Sequence, residues 1–170
     1  MKFARVDNFS IFFIVFVILI THFDKVAANA DISFHGTLLK TPACRINNDD
    51  AIYVNFGDAL SINKVQSGIY RAAIPIEIEC DGSSASWGLR LSVSGILAEF
   101  DSENATLVSD QQNALGVKIY HNGSPVVIDE KITLNHSGAN ELEAVLVQKD
   151  GVKLADGIFS ATASLRAEYF

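Results

Sequence analysis

Residues 159–169, FSATASLRAEY, alternate without a break. Phe159, Ala161, Ala163, Leu165, Ala167 and Tyr169 occupy the odd positions; Ser160, Thr162, Ser164, Arg166 and Glu168 occupy the even ones. Side chains of a strand point to opposite faces in turn, so a strict period of two predicts a β-strand with one buried face and argues against a helix. The stretch runs to the penultimate residue, with Phe170 after it. Chain ends are commonly polar and frayed. An apolar-faced strand at this place therefore raises the question of what it pairs with.

The same period recurs upstream. AIYVNFG (51–57) follows the turn signal NNDD, and IPIEIEC (74–80) places Ile74, Ile76, Ile78 and Cys80 on one face. Pro75 has no amide to give to a ladder and points to an edge or a strand start. WGLRLSVSG (87–95) groups Trp87, Leu89, Leu91 and Val93, and LGVKIY (115–120) groups Leu115, Val117 and Ile119 ahead of the turn HNGSP. VVIDEKITL and ELEAVLV follow, separated by NHSGAN. No comparable stretch carries the three-and-four spacing of an amphipathic helix, so the pattern predicts an all-β sandwich of short strands. Residues 31–43, DISFHGTLLKTPA, alternate as well, with Ile32, Phe34, Gly36 and Leu38 set against Ser33, His35 and Thr37. They precede the first cysteine, and two readings stand: a strand outside the core, or the first strand of the sandwich itself.

Lys2 and Arg5 lead into the apolar run IFFIVFVILI (11–20), and the small-residue site Ala28-Asn29-Ala30 follows. That is the layout of a secretory signal peptide over residues 1–30. Ten apolar residues span a bilayer poorly, which makes a retained anchor the weaker reading. Without residues 1–30 the chain carries 10 basic and 18 acidic residues, a net charge of −8. That balance argues against nucleic acid and anionic membrane surfaces as partners. Cys44 and Cys80 both lie in the exported part, where an oxidising compartment would join them rather than leave two buried thiols. The bridge would stabilise the fold by roughly 3–4 kcal/mol in the chain-entropy picture.

Catalytic signals are missing from the sequence. His22, His35, His121 and His136 show no HExxH spacing, and there is no nucleophile elbow, phosphate-binding loop or dinucleotide fingerprint. Asp49-Asp50 and the pair Glu141 and Glu143 read as turn and outward strand positions rather than an acid–base pair. Asn104-Ala-Thr, Asn122-Gly-Ser and Asn135-His-Ser match the glycosylation sequon, which matters only in a eukaryotic secretory pathway. Trp87 could stack on a sugar, but it shares its parity with Leu89 and Leu91 and is expected in the core. The expectation is a protein with no enzymatic activity, no cofactor or metal, and no small-molecule substrate.

Several of these residues are familiar in combination. Gly157 stands fourteenth from the C-terminus, Tyr169 is penultimate, and alternating apolar residues lie between them. With DISFHGTLLKTPAC at the other end, VNFGDA after Cys44 and a second cysteine closing an apolar strand at Cys80, the chain resembles bacterial pilins assembled by the chaperone–usher pathway. The short extension and the segments ACRINN, IEIEC and ALGVKIY resemble minor tip-adaptor subunits of P-pilus-type fimbriae more than the major rod subunit. The spacer Ala43 between Pro42 and Cys44 departs from the family pattern by one residue.

The resemblance implies an incomplete immunoglobulin-like sandwich lacking its seventh strand, over residues 44–170, with a donor-strand extension over residues 31–43. Ile32, Phe34, Gly36 and Leu38 would form the donor face. Gly157, Phe159, Ala161, Ala163, Leu165, Ala167, Tyr169 and Phe170 would form the acceptor groove and the chaperone-binding edge. A periplasmic chaperone would lend the missing strand, with basic chaperone residues holding the Phe170 carboxylate. At the outer-membrane usher the extension of a neighbouring subunit would replace that strand, carrying the protein through the periplasm to a cell-surface fimbria that supports adhesion. A major rod subunit is the nearest alternative. A carbohydrate-binding adhesin is the more distant one, because a tip adhesin has a lectin domain ahead of its pilin domain and needs no donor arm.

Overall fold

The computed structural model describes residues 30–38, 43–81, 88–134 and 140–170. The chain divides into two units, Met1–Leu39 and Lys40–Phe170. In the first, residues 30–38 have no regular secondary structure, and Ile32, Phe34 and Leu38 are 75%, 91% and 101% exposed. All but the last residue of the segment expected to be a signal peptide, with Pro42, Trp87, His136 and the sequon at Asn135, lie outside the described residues.

Among its described residues the second unit has ten strands: β1 (Cys44–Ile46), β2 (Arg71–Ile74), β3 (Ile78–Cys80), β4 (Leu89–Gly95), β5 (Thr106–Val108), β6 (Leu115–His121), β7 (Ser124–Pro125), β8 (Lys131–Leu134), β9 (Leu142–Gln148) and β10 (Ala163–Tyr169). They form one sheet in the order β2-β9-β6-β5 with β7 added to β6, a second in the order β10-β4-β8, and the pair β1-β3. Every pairing is antiparallel.

The alternation read from the sequence decides which face each strand buries. Leu115, Val117 and Ile119 of β6 lie in the core beside Leu142, Ala144 and Leu146 of β9, and a seven-pair ladder from Leu115↔Gln148 to His121↔Leu142 fixes their register. Leu91 and Val93 of β4 meet them from the second sheet, 0% and 2% exposed. The β6–β7 hairpin turns on Asn122 and Gly123 with φ of 48° and 79°, the doubly positive geometry that Asn-Gly tolerates best.

Four segments differ from the sequence expectation. IPIEIEC is not one strand: it breaks at residues 75–77, with β2 pairing β9 before the break and β3 pairing β1 after it. Pro75 sits where the chain changes sheets, and Asn47 bridges the break by donating from Nδ2 to Pro75 O (3.0 Å) and accepting from Glu77 N at Oδ1 (2.6 Å). AIYVNFG buries alternate residues, Ile52, Val54 and Phe56 inward and Tyr53 and Asn55 outward, yet forms no ladder among the described residues. The segment Ile62–Val65 is one helical turn, too short to leave a periodic trace in sequence. The closing strand also starts its ladder at Ala163 rather than Phe159.

On the outer face of the larger sheet, Lys118 of β6 bonds Glu103 and lies 3.4 Å from Asp101 Oδ1. Asp101 also accepts from Thr106 Oγ1 (2.6 Å) and from the amides of Glu103 and Ala105. Burial works to raise its carboxyl, but these donors and the Lys118 charge outweigh that and hold it below its ordinary value. Burial likewise opposes the Lys118 charge, and its two carboxylate partners outweigh it, raising the ammonium.

Candidate functional site: an open groove beside the last strand

β10 is an edge strand. Its ladder partner is β4, from Ala163↔Gly95 to Tyr169↔Leu89, and the sheet order ends there among the described residues. Strand β1 approaches β10 without pairing with it. Between the open side of β10 and the unpaired stretch of residues 52–60 lies a groove of about 870 Å³. Its floor is the sandwich core itself, with Val93, Val117, Ile119 and Leu146 reaching into it, and its walls include Ile52, Val54 and Phe56 on one side and Phe159, Ala161, Ala163 and Leu165 on the other.

The physical meaning of the groove follows from what borders it. Two backbone stretches with inward apolar side chains and no ladder on their facing sides leave both hydrogen-bonding groups and core surface to be satisfied. One extended chain laid between them would supply main-chain partners and apolar side chains together.

The acceptor-edge positions named from the sequence sit as follows. Gly157 is exposed with φ of 141°, a conformation in which any side chain is strained. Phe159 and Ala161 are half-buried, and the Phe159 ring lies 6.2 Å from that of Phe56, centroid to centroid, across the groove. Ala163 is exposed, while Leu165 and Ala167 are half-buried against the core. Tyr169 is half-buried opposite Leu89.

The terminal residue is fixed too. Phe170 N donates to Gly88 O (2.9 Å), and Gly88 N donates back to Phe170 O (3.2 Å). A Cβ on Gly88 would collide with the Phe170 ring, over which the Arg90 guanidinium carbon stands 3.4 Å from the centroid. On the outer face of the strand, Glu168 bonds Lys131 of β8, and this bond, with the Lys131, Arg166 and Arg90 charges, holds its carboxyl below the ordinary value despite slight desolvation.

Cys44 and Cys80 stand directly opposite each other in the β1–β3 ladder and are joined, closing a loop with a sequence separation of 36. Ile32, Phe34, Gly36 and Leu38, expected from the resemblance to form a donor face, fall in the first unit, where a Cβ added to Gly36 would meet nothing within 4 Å. Among the described residues no group of His, Cys, Asp and Glu is placed to hold a metal ion.

One part of the site escaped the sequence reading. Residues 155–160, which lead into β10, are bound by the side chains of Gln111 and Gln112 from the loop before β6. Two polar residues in a turn-rich loop produce no periodicity, and nothing in the sequence links them to a segment more than forty residues away.

Residues 32–169 match the sequence profile of the fimbrial protein family. This chain is a fimbrial protein. Membership makes it a structural subunit of a surface fimbria and not an enzyme. The fimbrial-like protein YfcQ of Escherichia coli strain K12 is 32% identical to it over 148 residues, which are 84% of this chain and 89% of YfcQ. In fold, the fimbrial subunit is similar to the P pilus adaptor subunit PapF, with a TM-score of 0.58 at 22% identity, covering 77% of this chain and 98% of PapF. It is equally similar to the P pilus rod subunit PapA, with a TM-score of 0.58 at 21% identity, covering 82% of this chain and all of PapA. The incomplete sandwich is thus the pilin fold.

Proposed function

We propose that the protein is a minor tip-adaptor subunit of a chaperone–usher fimbria, accepting the next subunit's strand in the groove beside β10 and donating residues 31–43 to the neighbour on its other side. The single observation carrying this reading is the groove of about 870 Å³ between the open side of β10 and the stretch of residues 52–60 that forms no ladder among the described residues. Its volume falls within the range of small-molecule pockets, about 300–1,000 Å³, but its border of ladder-less backbone suits an extended peptide. The exposed alternation of Ile32, Phe34 and Leu38 supplies the matching donor. Gly36 between them would pass where a pocket is too shallow for a side chain.

The partners on this reading are a periplasmic chaperone, which covers the groove during transit and holds the Phe170 carboxylate, then the usher, then neighbouring subunits. The adaptor position rests on the short extension and the segments around Cys44, Cys80 and Leu115. The folds of adaptor and rod subunits match this chain equally well, so a rod subunit is the second reading.

Gly36→Arg separates donation from folding. An arginine here puts a long charged side chain against the acceptor of the neighbouring subunit, where it clashes and buries an unpaired charge. The expected outcome is normal recovery of the variant with its chaperone and failed transfer of its arm to a neighbouring subunit in a strand-exchange assay. Poor recovery would place residues 31–43 inside the subunit's own sandwich, and normal exchange would remove Ile32, Phe34, Gly36 and Leu38 from the donor role.

A further inference from the structure

Resting on the reading of β10 as an acceptor edge, we propose that Gln111 and Gln112 are positioning residues whose side chains latch residues 155–160 and hold that end of the groove ready for an incoming strand. Residues 158–162 form no ladder among the described residues, although they continue the apolar face of β10 and line the groove through Phe159 and Ala161. Something other than sheet pairing has to place them, and two side-chain amides do.

Gln112 treats residue 155 as a neighbouring strand would: Nε2 donates to Ala155 O (3.0 Å) and Oε1 accepts from Ala155 N (2.9 Å). Gln111 does the same five residues on. Its Oε1 accepts from Ser160 N (2.7 Å) and its Nε2 donates to Ser160 Oγ (2.9 Å), which donates in turn to Asp110 Oδ2 (2.7 Å). Asp110 N closes the set by donating to Ser160 O (2.8 Å).

The latch is itself oriented from beneath. Ser109 is 2% exposed; its hydroxyl donates to Gln111 Oε1 and accepts from Gln111 N, both at 3.3 Å. The Gln111 amide oxygen thus accepts twice and its nitrogen donates to Ser160 Oγ, and flipping the amide would set donor against donor at Ser160 N and leave Ser160 Oγ facing an oxygen. Two latched points, at 155 and 160, bracket Gly157, exposed Ile158 and Phe159. Without them the Gly157 turn and the Phe159 ring would be free to fold into the groove, whose apolar floor attracts them. A strand arriving from solution would then wait for a minority open form, and its apparent association would fall in proportion to that fraction.

The test uses the subunit purified with its chaperone and challenged with a fluorescein-labelled synthetic peptide of residues 31–43, comparing wild type with the double variant Gln111→Met, Gln112→Met. The expected result is uptake slowed by about tenfold, with peptide release unchanged within about twofold, because preorganisation acts on entry. Gln66→Met removes a comparable amide bond to Asp150 Oδ1 (3.0 Å) that touches neither latched residue, and it should take up peptide at the wild-type rate. A latch that served only general stability would lower the melting temperature of the peptide-bound form and leave uptake unchanged, which would overturn the proposal. No uptake by wild type would instead overturn the acceptor reading beneath it. If the double variant is not recovered with its chaperone, Ser160→Ala reads the same quantity: slowing by about threefold supports the latch, since one hydroxyl of the set is lost, and an unchanged rate removes it.

Discussion

Strands β9 and β10 are both seven residues long, both alternate, and both carry alanine and leucine on their inner faces, yet they end in different states. In β9, Leu142, Ala144 and Leu146 are 2%, 2% and 1% exposed. In β10, Ala163 is exposed and Leu165 and Ala167 are only half-buried. The difference lies in neighbours. β9 is flanked by β2 and β6, whereas β10 has β4 on one side and the groove on the other. An alternating sequence specifies which face turns inward; the completeness of the core depends on how many strands border that face.

Supplying the missing neighbour is the strongest way to break this contrast. Residues 31–43 joined after Phe170 through a flexible Gly-Ser linker would present a strand to the groove at an effective concentration of order mM. Chemical denaturation with circular dichroism should turn a broad, aggregation-prone transition into a sharp cooperative one. A cooperative monomer without the added strand, unimproved by it, would mean that β10 is as complete as β9.

The grafted protein then allows a finer comparison. Leu146→Ala should cost about 2–5 kcal/mol, the usual range for a buried leucine. With the strand in place Leu165→Ala should approach the same range, measured by urea unfolding midpoints. If the Leu165 substitution stays near zero while Leu146 does not, the graft has not closed the core over β10.

A smaller effect separates the groove from the far face. Asp101 is held ionised by Thr106, two amides and Lys118, and its folded-state value lies below 3.8. Its contribution is therefore present above the unfolded value and is lost as pH falls from about 4 through the depressed folded value. Asp101→Asn in the grafted protein should cost about 1–3 kcal/mol at neutral pH, as donors lose a charged acceptor, and should make stability less steep in pH over the acid range. An unchanged acid limb would remove Asp101 from the account. The cost should leave peptide uptake untouched, because this triad lies on the outer face of the sheet.

Much of this was legible in the sequence for a physical reason. Alternation in residues 89–95, 115–121 and 159–169 reports burial, and those faces are the ones that meet in the core. The same signal misled at residues 51–57, where Ile52, Val54 and Phe56 do turn inward but no strand among the described residues makes a ladder with them. Pattern encodes faces, while pairing depends on distant chain. Pro75 was readable as an interruption, but the change of sheet there depends on Asn47, whose bonds to residues 75 and 77 no local pattern reveals. The Cys44–Cys80 bridge followed from compartment chemistry. Gln111, Gln112 and the Asp101–Lys118 cluster act through side chains that meet only after folding, and single polar residues in loops carry no period to betray them.

The bridge has a mechanical consequence. Cys44 is the first residue of β1, so a pull on the residues ahead of it arrives at a covalent cross-link before it reaches any hydrogen bond of that three-residue strand. Tension passes from Cys44 across the sulfurs into Cys80 at the end of β3, and β1 cannot be peeled from its partner one bond at a time. Load borne by a chain of such subunits would be carried at this joint by a covalent bond rather than by a short ladder that thermal motion could unzip.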